Sequence, residues 1–112
     1  MAFYLNDEPD FKYAENRVWL EDDDGREIAF ISFPYVGKGT KLVEIDHTVV
    51  IPEYEGQGLA AKLVREGVET IRKTGRRCTV TCSYAQAWFM KHTEYLFLLV
   101  DPEQAEALKD MD

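Results

Sequence analysis

Apolar and polar residues alternate through the first half of the chain and change to a helical period near its middle. Phe11, Tyr13, Val18 and Leu20 predict a first strand within residues 11–20. Asp22-Asp23-Asp24-Gly25 predicts a turn, because Asp and Gly accept the backbone conformations that hairpins need. Ile28, Phe30, Ile31 and Phe33 mark the returning strand over 27–33, and 34–40 is the next turn. Alternation over 42–50 predicts one long strand. Val43, Ile45, His47 and Val49 share one face; Leu42, Glu44, Asp46, Thr48 and Val50 share the other, unless a bulge shifts the register. Pro52 breaks the strand. Ala60, Leu63, Val64, Val68 and Ile71 then recur at helical spacing and predict a helix over 59–74 that packs one face on a sheet, with Gly75 as its stop.

A strand over 78–83 follows, so strand, crossover helix and strand form one βαβ unit with parallel strands. Residues 84–92 predict a short helix with Ala85, Trp88 and Phe89 inward, and 95–100 a last apolar strand. Residues 102–111 predict an acidic helix with Ala105 and Leu108 inward, and 1–10 a loose lead-in. The expected class is α/β in the α+β sense. It is one domain with a mixed sheet, an antiparallel N-terminal meander, one βαβ crossover and helices on the faces.

A chain of 112 residues has room for one modest core. No run approaches the roughly 18 apolar residues of a membrane span. The first residues lack the basic start and apolar core of a signal peptide, so the expected location is cytoplasmic, with no membrane partner. The net charge of −8 argues against a nucleic-acid partner. Between Gln57 and His92, however, seven basic residues (Lys62, Arg65, Arg72, Lys73, Arg76, Arg77, Lys91) face two acids, Glu66 and Glu69. That window is +5, which leaves −13 for the rest of the −8 chain. It opens at Gly56-Gln57-Gly58, where two glycines precede a helix. Glycine there lets backbone amides point outward, and with the helix dipole they suit a phosphate.

Other motifs fail on their spacing. Gly37-Lys38-Gly39-Thr40 lacks the Gly-Lys-Ser/Thr order of a P-loop. An EF-hand reading of the Asp22 turn would need acids at Leu20 and Ile31. Gly56-Gln57-Gly58-Leu59-Ala60-Ala61 fits G-x-G-x-x-A, but Pro52 to Glu55 separate it from the strand and Arg76-Arg77-Cys78 replaces the acid of a dinucleotide fold. Cys78 and Cys82, four apart in one strand, would lie roughly 13 Å apart and cannot pair. Without ligand-spaced histidines they make a poor zinc site, so no metal is expected.

The better match is to the GNAT acetyltransferases, whose signature between a central strand and a helix is Gln or Arg, two residues, Gly, one residue, then Gly or Ala. Here it reads Glu53-Tyr54-Glu55-Gly56-Gln57-Gly58. The chain most resembles a small single-module group within that superfamily. The resemblance rests on Ile45-Asp46-His47-Thr48-Val49-Val50-Ile51-Pro52, Gly56-Gln57-Gly58-Leu59-Ala60, Cys82-Ser83-Tyr84 and Lys91-His92-Thr93-Glu94-Tyr95, and it covers residues 27–97. Glu53 in place of Gln or Arg would bring a negative charge near the phosphates. Thr93 stands where relatives often carry proline.

The resemblance implies acetyl-CoA as cofactor and an amine acceptor, a small molecule or a protein lysine, in a monomer or weak dimer. The amides of Gly56, Gln57, Gly58, Leu59 and Ala60 would hold the pyrophosphate. Val49, Val50 and Ile51 would hydrogen-bond the pantetheine arm as an added strand. Lys62 and Arg65 would balance the phosphates. Three side chains are candidates for the chemistry. His47, beside Asp46, is a general base or a hydrogen-bonded core residue. Cys82, before a helix N-terminus, is a nucleophile, a wall of the pocket near the cofactor sulfur, or a small buried hydrophobe. Tyr84 protonates the leaving thiolate or packs as a core aromatic. Cys78 is structural. The alternative function is a CoA-binding sensor or interaction module that catalyses nothing.

Overall fold

The computed structural model describes residues 9–100. Six strands are found among them: β1 (Lys12–Ala14), β2 (Arg17–Glu21), β3 (Glu27–Ser32), β4 (Leu42–Ile45), β5 (His47–Val50) and β6 (Arg77–Val80). Two α-helices, α1 (Leu59–Lys73) and α2 (Ser83–Lys91), and two 3-10 segments, Pro52–Tyr54 and Thr93–Leu98, complete the order. Strands β1-β2-β3-β5 form an antiparallel sheet, and β4 pairs with β6 in parallel, Val43 opposite Cys78. The antiparallel meander and the β4-α1-β6 crossover are those expected. No helix among the described residues is long and apolar enough to cross a membrane. The helix expected over 102–111 and most of the lead-in over 1–10 lie outside the described residues.

The expected central strand over 42–50 is two strands that part at Asp46. Asp46 donates its amide to the Ser32 carbonyl at 3.2 Å, and its carboxylate accepts the Ser32 hydroxyl at 2.5 Å. That one extra residue reverses the facing of everything after it. Val43 and Ile45 are buried, but His47 and Val49 turn outward and Thr48 and Val50 turn inward. The expected shared face of Ile45, His47 and Val49 is therefore corrected.

Three further boundaries differ. Residues 11–20 form a tight hairpin instead of one strand, turning at Glu15 and Asn16. The strand over 78–83 stops at Val80, and Ser83 already belongs to α2. The apolar run 95–100 is mostly 3-10 helix; only Leu99 bridges Cys78 in parallel, and Val100 donates to the Cys78 carbonyl at 2.9 Å. A short apolar run does not by itself separate strand from helix.

Helix α1 lays Leu59, Leu63, Val64, Val68 and Ile71 on a core that includes Val18, Leu20, Ile31, Phe33, Val43 and Ile45. Burying each such side chain contributes roughly 1.5–3 kcal/mol. Gly67 sets the distance: a Cβ there would meet the Ile31 side chain at 3.0 Å. The helix can sit this close to the sheet only because that position has no side chain.

Candidate functional site

A cleft opens where the parallel pair ends. Strands β4 and β6 stay in register as far as Ile45 opposite Val80. The Ile45 carbonyl then accepts both the Thr81 and the Cys82 amides, at 3.0 and 3.1 Å. Beyond that point β5 leaves to pair with β3, and the other chain turns into α2. The wedge between them is a cavity of about 470 Å³. Thr48, Val49 and Val50 form one wall, Tyr84 the other, and the turn before α1 the floor.

The floor is backbone. Gly58 is the N-cap of α1 at φ 77°, ψ 15°, left-handed, and no side chain caps the helix. The first intrahelical bond runs from the Lys62 amide to the Gly58 carbonyl at 3.3 Å, so helix geometry leaves the Leu59, Ala60 and Ala61 amides without an intrahelical acceptor. The first turn contains no acidic residue. A Cβ on Gly56 or Gly58 would meet no atom within 4 Å, and both glycines line the cleft with Leu59 and Ala60. This end of α1 is a bare, positive helix terminus facing a cavity, suited to an anion.

The strand wall is the edge of its sheet, unpaired among the described residues. The Ile51 amide donates to the Ile28 carbonyl at 2.9 Å, and Val49 lies opposite Phe30. Antiparallel ladders alternate, so Thr48 and Val50 turn their backbone groups to the other edge, the one facing the wedge. Of the three residues expected to bind an extended arm, Val50 presents its backbone there. Val49 and Ile51 spend theirs on β3.

Tyr84 lines this cleft, Cys82 adjoins it through its contact with Thr48, and His47 does not join them. Cys82 is the half-buried N-cap of α2, and its Sγ lies 3.5 Å from the Thr48 Oγ1 on the opposite wall. Tyr84 lines the cleft and is 43% exposed. The His47 ring stands on the outer face, its side chain 67% exposed, with Nδ1 3.3 Å from the Asp46 carboxylate. Cys78 is a separate case. It is fully buried, and desolvation pushes its thiol up from an ordinary 9.0 to about 12. Both cysteines are free.

Most of the positive window is committed elsewhere. Arg72 pairs with Glu69 at 2.8 Å, Arg77 donates to the carbonyls of Phe97 and Leu99, and Arg76 is buried. Arg65 lies over the Trp88 ring and donates to the Tyr95 hydroxyl at 3.4 Å. Lys62 is exposed on α1 and is not part of the cleft wall. Glu53 is also turned away, pairing with Arg26 at 3.2 Å, so its charge is partly neutralised in the adjoining turn.

The Lys91 to Tyr95 stretch acts as a brace between the helices. Trp88 and His92 stack at 4.1 Å, and Arg65 of α1 reaches His92 and Tyr95. Glu69 is held down at about 2 by hydrogen bonds from Arg72 and then Tyr95, and the Tyr95 hydroxyl is raised chiefly by the same contact. These bonds fix α2, and with it Tyr84, relative to the helix whose N-terminus floors the cleft.

Thr48, Tyr54 and Glu55 line the cleft although sequence reasoning did not select them. Tyr54 and Glu55 lay inside the quoted turn and offered a signal. Thr48 lay inside the resembling 45–52 stretch, but its facing depends on the Asp46 bulge.

The family profile of GCN5-related N-acetyl-transferases matches residues 17–98. A GCN5-like protein from Staphylococcus aureus, determined by NMR, is similar at 30% identity with TM-score 0.63, over 81% of this chain and 87% of that one. The GNAT-family N-acetyltransferase YhbS from Escherichia coli, crystallised with CoA, is 28% identical with TM-score 0.52, over 57% of this chain and 38% of that one. Protein NATD1 from Bos taurus is 34% identical over 58 residues, which are 52% of this chain and 50% of that relative. The chain thus spans about half the length of the curated relative it matches. With a profile match across most of the chain, and a fold that splays its strands above a glycine-opened helix, this protein belongs to the GCN5-related N-acetyltransferase family.

Proposed function

We propose that this protein binds acetyl-CoA in the wedge between β5 and α2 and transfers the acetyl group to an amine. The observation that carries the reading is the uncapped N-terminus of α1 opening into the cleft, with Gly56 and Gly58 lining it. The pyrophosphate sits on the amides of Gly56 to Ala60, and the pantetheine arm runs along the free edge at Thr48 and Val50. The thioester then lies near Cys82 and Tyr84.

Acetyl transfer needs a neutral amine, a polarised carbonyl and a protonated leaving thiol. The amine nitrogen attacks the carbonyl carbon directly, the carbon–sulfur bond of the thioester breaks, and the CoA thiolate takes a proton from the Tyr84 hydroxyl. The proton on the attacking nitrogen leaves through water to solvent, and His47, beside Asp46 on the outer face of the sheet, stays outside the step. Cys82 walls the sulfur end of the site, its thiol turned to Thr48. The acceptor is a cationic amine, a polyamine or a lysine side chain, drawn by the negative charge outside the 57–92 window.

Acetyl-CoA should raise the melting temperature, with a gain of about 2.7 kcal/mol at 100 times Kd. An unchanged melting curve at millimolar acetyl-CoA sinks the binding reading. Slow hydrolysis of acetyl-CoA should fall in Tyr84→Phe, stay unchanged in His47→Gln, and persist within about tenfold, or about 1.4 kcal/mol, in Cys82→Ala. An acetylated Cys82 in the mass spectrum would instead place the thiol on the reaction path. Binding without turnover on any amine would make the protein a CoA sensor.

A further inference from the structure

At the far end of α1, about 22 Å from Gly58 along the helix, the chain folds a charged side chain back into the protein. Arg76 is only 4% exposed. Its amide donates to the Ile71 carbonyl at 3.0 Å and its Nε to the Thr74 hydroxyl at 2.8 Å. The rings of Phe33 and Tyr35 lie 5.5 and 5.6 Å from its guanidinium carbon. Nη1 has no hydrogen-bond partner among the described residues. Buried donors are nearly always satisfied, and one on a guanidinium is among the most costly to leave bare.

Arg76 forms part of the wall of a cavity of about 310 Å³, together with Lys41, Tyr35, Thr70, Thr74 and Glu15. The hydroxyls of Thr70 and Thr74 already donate to backbone carbonyls, at 2.8 and 2.7 Å. The Tyr35 hydroxyl donates to Glu15 at 2.8 Å. The donors left for a ligand are therefore on two cations, Arg76 and Lys41, against one carboxylate that already accepts a hydrogen bond. With aromatic rings beside it and Nε engaged, the guanidinium has the Nη1 donors left without a partner, and such donors suit the oxygens of an oxyanion.

We propose that this cavity binds a small oxyanion of the phosphate class, held by Arg76 and Lys41. It is separate from the cleft at the other end of α1 and shares no residue with it.

The test is an NMR titration of the ¹⁵N-labelled protein with sodium phosphate, against sodium chloride at matched ionic strength. It is run with and without saturating CoA, so that phosphate at the α1 N-terminus does not contribute. The Arg76 Nε–Hε signal and the Gly75 and Lys41 amides should move saturably with phosphate, equally in both series. Lys41→Gln, an exposed substitution, should weaken the apparent affinity at least fivefold, and Arg76→Leu should abolish it where the variant folds. Sulfate should act like phosphate, and acetate should bind at least fivefold more weakly. Equal linear drift in phosphate and chloride overturns the proposal. So does unchanged phosphate affinity in Lys41→Gln. Acetate binding as tight as phosphate overturns the phosphate assignment.

Discussion

The parallel pair β4–β6 has a closed end and an open end, and its two cysteines sit one at each. At the closed end Val43 lies opposite Cys78, both fully buried, and the Cys78 thiol is pushed up to about 12 by desolvation. At the open end the strands have separated, and the Cys82 thiol donates to the Thr48 hydroxyl with a cavity beside it. Four residues of sequence separate a side chain that only fills space from one at the edge of the proposed chemistry. The difference lies not in the residue type but in whether a neighbouring strand is still present. Where β4 and β6 are paired the interior is sealed. Where β5 has left for β3, its other edge is unpaired among the described residues.

That contrast predicts that substitutions at the closed end change stability and those at the open end change binding. The largest effect belongs to the closed end. Ile71→Ala removes a fully buried side chain of α1 and should cost about 2–5 kcal/mol in denaturant unfolding. CoA affinity of the folded fraction, measured by calorimetry well below the melting point, should stay within threefold. A large loss of affinity there would break the comparison.

Gly58→Val comes next, at the open end. It should weaken CoA binding by at least 100-fold, about 2.7 kcal/mol. The new side chain enters the cleft that Gly58 lines, and φ of 77° is a conformation that a β-branched residue resists. Gly58→Ala should lose less. Tight CoA binding by Gly58→Val would place the phosphate site elsewhere.

A third prediction separates the thiols by pH. The folded Cys78 thiol titrates near 12, above its ordinary 9.0. Between those values the unfolded chain releases a proton that the folded chain keeps, so this stabilising contribution is full below about pH 9 and is lost as pH rises towards 12. Cys78→Ala should flatten the alkaline fall in stability. At pH 8 iodoacetamide should modify Cys82 at least tenfold faster than Cys78. Equal rates would mean that the closed end opens readily.

The smallest effect expected is that of Glu53→Gln. Its partner Arg26 is exposed, and solvent screening leaves such surface pairs little effect on stability. CoA affinity should change by less than threefold, because the carboxylate is already balanced by Arg26. A tenfold gain would show that the charge is felt in the cleft after all.

Hydrophobic period alone determined that a helix begins at Leu59 after two glycines, and that its Leu63, Val64, Val68 and Ile71 face a sheet. The meander, the crossover and the glycine turn were legible for the same reason: each is set by spacing along the chain and by what glycine permits. The tertiary structure decided the rest. The Asp46 bulge exists because Ser32, fourteen residues away, offers both a carbonyl and a hydroxyl to it. Through that contact Thr48 replaced His47 as the residue turned towards the cleft. Of the basic residues in the 57–92 window, Arg65, Arg72 and Arg77 are engaged by a ring, a carboxylate and carbonyls that only the folded chain brings near, those of Trp88, Glu69, Phe97 and Leu99. A sequence records which groups are available and how they are spaced along an element. Which partner each group meets is set by distances across the fold, and those arise only when the elements pack.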